Sequence, residues 1–413
     1  MRVLIIGSGG REHAIGWKIK KDNPDAELFF SPGNGGTKDL GENEELVSIE
    51  EAKNFAKSQG IGLTIVGPEA ELVEGIVDVF KNAGLKIFGP NQKSAKLEGS
   101  KAFSKEFMTK YGIKTAESKT FRHFIDAQKH IENLEEFPVV IKASGLAAGK
   151  GVVIAEDKFM AESTIRKIMV DGEFGDAGKE IVIETFLKGF ECSILSIFNG
   201  STITPFITAK DHKKINEEDK GLNTGGMGVV APNPSFTEAH MQDFIKNILI
   251  PTQKGLIEEK MKFAGVIFFG LMVTENGVYL LEYNMRFGDP EAEALLPLLK
   301  NNLLEVIKDS IAGKELKLEW EDQHSCCVVM ASGGYPGNYE KGFQIRGLEN
   351  VEAPLFLAGV KQTNGKYYTD GGRVLNVVGL GKDLEEARNI AYKNIQKINF
   401  DFEYYREDIG KSI

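Results

Sequence analysis

The sequence predicts a multidomain protein of mixed α/β and α+β class, and three observations carry that expectation. From the start to about residue 90, short β-rich runs alternate with polar, helix-patterned stretches, which implies a parallel sheet with helices on both faces. A run of strands dominates the middle of the chain, and the section from about Ser325 onward mixes short strands with Gly-rich turns, as in a small α+β domain. The length of 413 residues itself suits about three domains, each able to bury a substantial core.

Taken in order, the short β-rich runs at 3–7, 27–31, 63–67 and 86–88 read as the parallel strands. Ligands of such sheets gather at the carboxyl ends of the strands, which here carry GSGGREH, SPGNGGT, VGPEAEL and FGPN. Residues 101–110 follow in a helical pattern. Strands are expected at 138–143, 151–155, 180–186 and 192–198. The runs 266–273 and 278–283, separated by Glu275, Asn276 and Gly277, read as an antiparallel hairpin. No repeat, heptad or low-complexity tract is present.

Composition narrows the class. The chain is 42% hydrophobic and 27% charged with a net charge of -10, which argues against a general nucleic-acid binder, since that affinity comes from clustered Lys and Arg. Cys192, Cys326 and Cys327 are the only cysteines and show no metal-ligand spacing, so they read as reduced thiols packed as small apolar residues. The longest apolar run, 263–273, is too short to span a bilayer, and the N-terminus lacks a signal-peptide layout. A soluble, cytoplasmic protein with no membrane partner is expected.

Five segments carry chemistry. At the N-terminus, Gly7 and Gly9 fit the dinucleotide pattern G-x-G-x-x-G, but Glu12 stands where the third glycine belongs, which points to a smaller ligand. In FPVVIKASGLAAGKGVVIA, Lys142 ends an apolar strand and precedes the glycine loop 145–151, with Lys150 as a second positive charge. Glycines let backbone amides approach phosphate oxygens, although the P-loop spacing fails and a plain mobile hairpin also accounts for the segment. In EIVIETFLKGFECS, Glu184 and Glu191 could meet an adenine amino group and ribose hydroxyls, against the ordinary reading of exposed surface carboxylates.

The fourth segment, VYLLEYNMRFGDPEAE, is the most informative. Strand alternation places Glu282, Asn284 and Arg286 on one face and Leu281, Tyr283 and Met285 on the other. Glu282 and Asn284 offer hard oxygen ligands suited to Mg²⁺, and Arg286 just beyond them could stabilise a transferring phosphoryl group. A solvated amphipathic strand is the competing account. Upstream, AKDHKKINEEDKGLNTGGMGVVAP contains a loop at 223–228 able to offer backbone amides to a small carboxylate, with Asp211, His212 and Lys213 clustered before it. His212 reads as structural or exposed, because nothing nearby in sequence orients it as a base.

The order of LEGSKAF, VVIKASGLAAGKG, IVIETFLKGFE, NTGGMG and EYNMRFGDPEAE resembles the ATP-grasp ligases, and within them the phosphoribosylamine–glycine ligase (glycinamide ribonucleotide synthetase) family. The likeness covers nearly the whole chain, with RFGDPEAE at 286–293 its most specific motif. Leu222 and Tyr283 are small departures that touch no proposed ligand. The resemblance implies a Rossmann-like N-terminal substrate domain at 1–100, an ATP-grasp domain at 101–325 with a mobile lid at about 120–185, and a small C-terminal α+β domain at 326–413. Its implied reaction joins glycine to 5-phosphoribosylamine through glycyl phosphate, giving glycinamide ribonucleotide, ADP and phosphate in purine synthesis, with Mg²⁺ or Mn²⁺ as cofactor.

Carried onto this sequence, the resemblance assigns ATP to Lys101, Lys142, Gly145, Ala148, Gly149, Lys150 and Gly151, with Glu184, Phe186 and Leu187 at adenine and Glu191 at ribose. Glu282 and Asn284 hold the metal, and Arg286 is catalytic. Asp211, Lys213, Thr224, Gly225, Gly226 and Asp289 are expected to hold glycine and phosphoribosylamine. With ATP so placed, Gly9, Gly10 and Arg11 at a helix N-terminus suit a single sugar phosphate, with Asn34, Gly36, Pro68 and Glu69 completing the rim; a tight turn with no ligand also fits. The implied partners are these small molecules, with a monomer in transient contact with neighbouring purine-pathway enzymes and no nucleic acid. Other readings are an ATP-grasp ligase for a different acid, a nicotinamide-dependent oxidoreductase, and a nucleotide sensor that has lost activity.

Overall fold

Four consecutive apolar residues, Val3, Leu4, Ile5 and Ile6, can be satisfied only by a strand covered on both faces. In the structure, a computed structural model that describes residues 1–147 and 151–411, they form β1 (Arg2–Gly7) at the centre of a five-stranded parallel sheet. Its neighbours are β2 (Glu27–Pro32), β3 (Glu42–Asn43), β4 (Leu63–Val66) and β5 (Ile87–Phe88), in the order β3-β2-β1-β4-β5. Val3 and Ile5 face a core shared with helix α1 (Gly10–Asp22) and the body of the molecule, whereas Leu4 and Ile6 face a separate cluster with Ile76, Val77 and Phe80. The two-residue β3 adds an edge strand that the sequence pattern does not announce.

The middle of the chain divides into two units. Strands Ser118–Phe121, Ile181–Thr185, Val139–Ala143 and Val152–Ala155 form a four-stranded antiparallel sheet, in that order. Helices Phe124–Glu132 and Lys158–Met169 cover one side of it, and Ala127, Ile131, Ile141, Ala161 and Ile165 give this unit a core of its own. The second unit is a long antiparallel sheet running through Gly277–Asn284, Gly265–Thr274, Phe190–Phe198, Ile203–Asp211 and Gly228–Ala231. That sheet does not stop there: Gly228–Ala231 pairs with His324–Ser332, which pairs with Arg373–Gly381 and, beyond it, Leu355–Leu357. The C-terminal part, packed under helix Leu384–Ile395, is therefore hydrogen-bonded to the middle of the chain.

Two local differences from the sequence pattern matter. The hairpin turns at Glu275 and Asn276 alone, because Thr274 already pairs with Gly277, whose φ of +106° places it in the left-handed region. In the second strand of that hairpin, Gly270 pairs with Glu282 but Leu271 with Leu280, so Leu281 is an extra, bulged residue. Strict alternation is broken there: Val278, Leu280, Tyr283 and Met285 enter the core, while Leu281 lies outside it instead of sharing the face of Tyr283 and Met285. The three cysteines are free and buried. Among the described residues no helix is long and apolar enough to cross a membrane.

Candidate active site

Lys101 opens the helix Lys101–Lys110, whose N-cap Ser100 accepts a hydrogen bond from Phe103 N. The helix start is stitched to the four-stranded unit: Lys101 N donates to Ser144 O at 2.8 Å, Ala102 N to Ser144 Oγ at 3.1 Å, and Lys101 Nζ to Gly145 O at 3.4 Å. Gly145 and Gly151 bracket the glycine loop, with Gly151 O accepting from Ala143 N. Ala148, Gly149 and Lys150 lie outside the described residues. Lys142 projects from Val139–Ala143 and places Nζ 3.0 Å from Glu184 Oε2 and 3.4 Å from Leu281 O, the carbonyl of the bulged residue.

Glu184 is buried, and its carboxylate lies between Lys142 and a lysine that the sequence reading missed, Lys105, at 3.3 Å from Oε1. The half-buried link through Phe186 and Leu187 joins Ile181–Thr185 to Phe190–Phe198. Glu191, on the latter strand, is half-exposed and ion-paired with Lys213 at 2.6 Å. The signal for Lys105 was its place four residues after Lys101, one helical turn along the same face.

Glu282 follows the bulge and lies among the same cationic side chains. Burial alone would push its carboxyl up, but Lys213, Lys142, Lys101 and Arg286 together hold it below the usual range, so it is an ionised oxygen donor. Asn284 sits two residues further on the same strand. A carboxylate kept charged beside a neutral amide oxygen is a donor set that fits a small hard cation whose remaining positions go to phosphate oxygens.

Arg286 is pinned on both sides. Its Nε lies 3.1 Å from Glu69 Oε2, its Nη2 2.9 Å from Glu98 Oε1, and Nη1 donates to Phe287 O at 3.2 Å. Burial disfavours its charge, but Glu98, Glu69, Glu291 and Asp289 outweigh it and keep the guanidinium protonated. Glu98, within the quoted LEGSKAF, also accepts from Met285 N at 2.6 Å. Pro68 is the N-cap of the helix Glu69–Glu74, so the carboxyl end of β4 delivers Glu69 to Arg286.

Several donors expected to face a sugar phosphate meet acceptors of the protein itself. Gly9 N donates to Glu12 Oε2 at 2.6 Å, Arg11 Nε to Glu12 Oε1 at 2.5 Å, Arg11 Nη1 to Phe287 O at 3.2 Å, and Arg11 N to Asp289 Oδ2 at 3.4 Å. The Glu12 carboxylate fills the crevice between the ends of β1 and β4; a Cβ on Gly67 would collide with it. Gly10 is pressed against Asn376 and Glu293, and Gly36 against His13. The Asn34 amide is spent on Ser8 O and Leu357 O, both at 2.8 Å, while its oxygen accepts from Gly36 N and Thr37 N.

The 223–228 loop is likewise satisfied internally. Thr224 N donates to Lys213 O, Gly225 N to the Tyr335 hydroxyl, Gly226 N to Thr224 Oγ1 and Met227 N to His212 O. The loop thus closes on itself, its amides meeting acceptors of the protein. Arg373, which sequence reasoning missed, clamps it from the C-terminal part: its Nη1 donates to Gly225 O at 2.6 Å and Asp289 O at 2.7 Å, and Nη2 lies 2.8 Å from Asp289 Oδ1. Asp211 lies against Gly226 with its Oδ1 buried and without a partner among the described residues, and Lys213 is paired with Glu191. Burial and Glu291 push the Asp211 carboxyl well up, whereas Glu191, Glu282 and Asp211 outweigh burial and hold Lys213 charged. His212 is buried with Nδ1 3.2 Å from Gly228 O, a structural contact.

Comparison with known proteins gives matches along nearly the whole chain. Residues 1–98 match the family model described as phosphoribosylglycinamide synthetase, N domain; residues 99–292 match its ATP-grasp (A) domain; residues 325–412 match its C domain. A phosphoribosylamine–glycine ligase of Fusobacterium nucleatum is 54% identical over 99% of this chain and 98% of that protein. One from Clostridium acetobutylicum is 50% identical over the full length of both. The crystal structure of phosphoribosylamine–glycine ligase from Thermotoga maritima superposes with a TM-score of 0.88 at 34% identity, covering 99% of this chain and all of that one.

Proposed function

The chain belongs to the phosphoribosylglycinamide synthetase family, and from that premise we infer that it is an ATP-dependent ligase that joins glycine to 5-phosphoribosylamine in purine biosynthesis. The observation that supports this reading most directly is that family likeness spans all three parts of the chain, so the nucleotide-binding and substrate-binding portions occur together. Domain limits at 1–100, 101–325 and 326–413, with a lid at about 120–185, are part of the proposal.

In the proposed mechanism the glycine carboxylate attacks the γ-phosphate of ATP to give glycyl phosphate, and the amine of phosphoribosylamine then attacks its carbonyl, releasing phosphate. Lys101 and Lys142 meet the phosphates together with the glycine loop, and the link through Phe186 and Leu187 meets adenine. Glu282 and Asn284 would hold Mg²⁺ or Mn²⁺, which supplies neutralisation of the phosphate charge. Arg286, fixed by Glu69 and Glu98, faces the charge that develops during phosphoryl transfer; it is set in place before reaction and costs no reorganisation. Asp211, Lys213 and Asp289 line the acid and amine side of the cleft. Closure of the lid keeps water from the acyl phosphate. The protein acts on small molecules in the cytoplasm as a monomer.

The test is ADP formation, which should require glycine and phosphoribosylamine together. Bicarbonate or formate replacing glycine as the required acid would assign the chain to a different ligation.

A further inference from the structure

Around Glu184 the charges do not balance: one buried carboxylate serves two buried ammonium groups, Lys142 at 3.0 Å and Lys105 at 3.3 Å. The two lysines are held very differently. Lys105 Nζ also donates to Thr115 Oγ1 at 2.7 Å and Ala116 O at 3.5 Å, and Thr115 in turn donates to Leu280 O at 2.6 Å, so Lys105 is moored to the strand that carries Glu282. Among the described residues Lys142 has, besides Glu184, one long hydrogen bond to Leu281 O, with Glu282 acting on it at longer range. A lysine with one movable ion pair can turn toward an incoming phosphate; a lysine moored on three sides cannot.

We propose that Lys105 is a positioning residue for nucleotide binding: it keeps Glu184 neutralised when Lys142 leaves that carboxylate to meet the phosphates of ATP. The proposal rests on the assignment of Lys142 to ATP made above. Its physical basis is that a buried carboxylate deprived of its only partner is strongly disfavoured, so without Lys105 the departure of Lys142 would carry that cost. Burial pushes Lys105 down to about 8, Glu184 opposes the shift, and the adjacent Lys142 adds to it; movement of Lys142 toward a phosphate relieves that repulsion. Neither lysine needs to transfer a proton.

The experiment measures ATP affinity by titration calorimetry, with no glycine or amine present and with and without Mg²⁺, for the full chain and four variants. K105M should bind ATP weaker by on the order of tenfold or more, K105R should recover most of the affinity, and K105M/E184Q should bind within about threefold of E184Q, because no carboxylate is stranded. In turnover assays the K105M defect should fall on KM for ATP while KM for glycine stays within about threefold of wild type. A merely structural lysine would weaken both substrates and would cost as much in the E184Q background as in wild type. K105M binding ATP as wild type does, or K105M costing as much beside E184Q as alone, overturns the inference. Absence of ATP binding by the wild-type chain would overturn the ligase reading and this inference together, which separates the two failures.

Discussion

Replacing Arg286 by Met tests how much of its role is scaffold and how much is chemistry. The side chain bridges Glu69 at 3.1 Å and Glu98 at 2.9 Å. Without it, Glu98 retains Met285 N as its donor, and burial pushes the carboxyl toward its protonated form. Removing one partner of a buried ion pair costs about 3–5 kcal/mol, and a part-exposed pair such as that to Glu69 about 0–1. A loss near 3 kcal/mol is expected, seen as a fall in the thermal midpoint on the order of 5 °C or more. Loss of a preorganised donor at developing charge should lower kcat by at least about a hundredfold, while the ATP dissociation constant changes by less than about threefold. The double variant R286M/E98Q separates the two contributions: it removes both buried charges, so the thermal midpoint should return most of the way while kcat stays low. The assay is coupled ADP release with glycine and phosphoribosylamine, alongside scanning calorimetry. If R286M turns over within threefold of wild type, or if E98Q restores its turnover, Arg286 acts only as scaffold and the proposed mechanism loses its charge-stabilising group.

Three further outcomes are expected. E282Q should raise the Mg²⁺ concentration needed for half-maximal turnover by tenfold or more, because a charged ligand becomes a neutral one; a metal titration checks it. R373M should raise KM for glycine or the amine at least about fivefold with little effect on ATP binding, since Arg373 ties Gly225 and Asp289 but not the nucleotide side of the cleft. Burial lowers His13 to about 4, so the folded state binds its proton more weakly than the unfolded chain; stability should be unaffected above pH 6.5 and fall by up to about 3 kcal/mol as pH drops from 6.5 to 4. H13N, which keeps an acceptor for Leu357 N, should flatten part of that loss in urea titrations, the buried His212 contributing with the same sign.

The residue pattern made the parallel sheet legible: Val3 to Ile6 is apolar at every position and the run at 63–66 is apolar but for Thr64, which a strand covered on both faces explains. The hairpin carrying Glu282 and Asn284 was legible from two strand-like runs separated by Glu275, Asn276 and Gly277. What the pattern could not show is the bulge at Leu281, because an inserted residue changes no composition and only the partner strand reveals it. Nor could it pair Arg286 with Glu69, or Asp289 with Arg373, since each pair joins segments far apart in the chain whose meeting depends on how separate sheets dock. The loop NTGGMG looked like a set of free amides because sequence shows donors but not their acceptors; folding supplied Tyr335, Lys213 and His212.

Glu12 shows where composition and three-dimensional position part company. The absent third glycine correctly set the N-terminal turn apart from a dinucleotide site, yet the further step, that Gly9 and Arg11 are thereby free for a smaller phosphate, does not follow from it. A glycine at that position leaves a hollow between β1 and β4; a glutamate fills it with a carboxylate that both Gly9 N and Arg11 Nε turn to meet. The residue that removes one anion site is itself an anion and competes for the same donors. A sugar phosphate at this rim would therefore have to be met by groups that Glu12 does not engage.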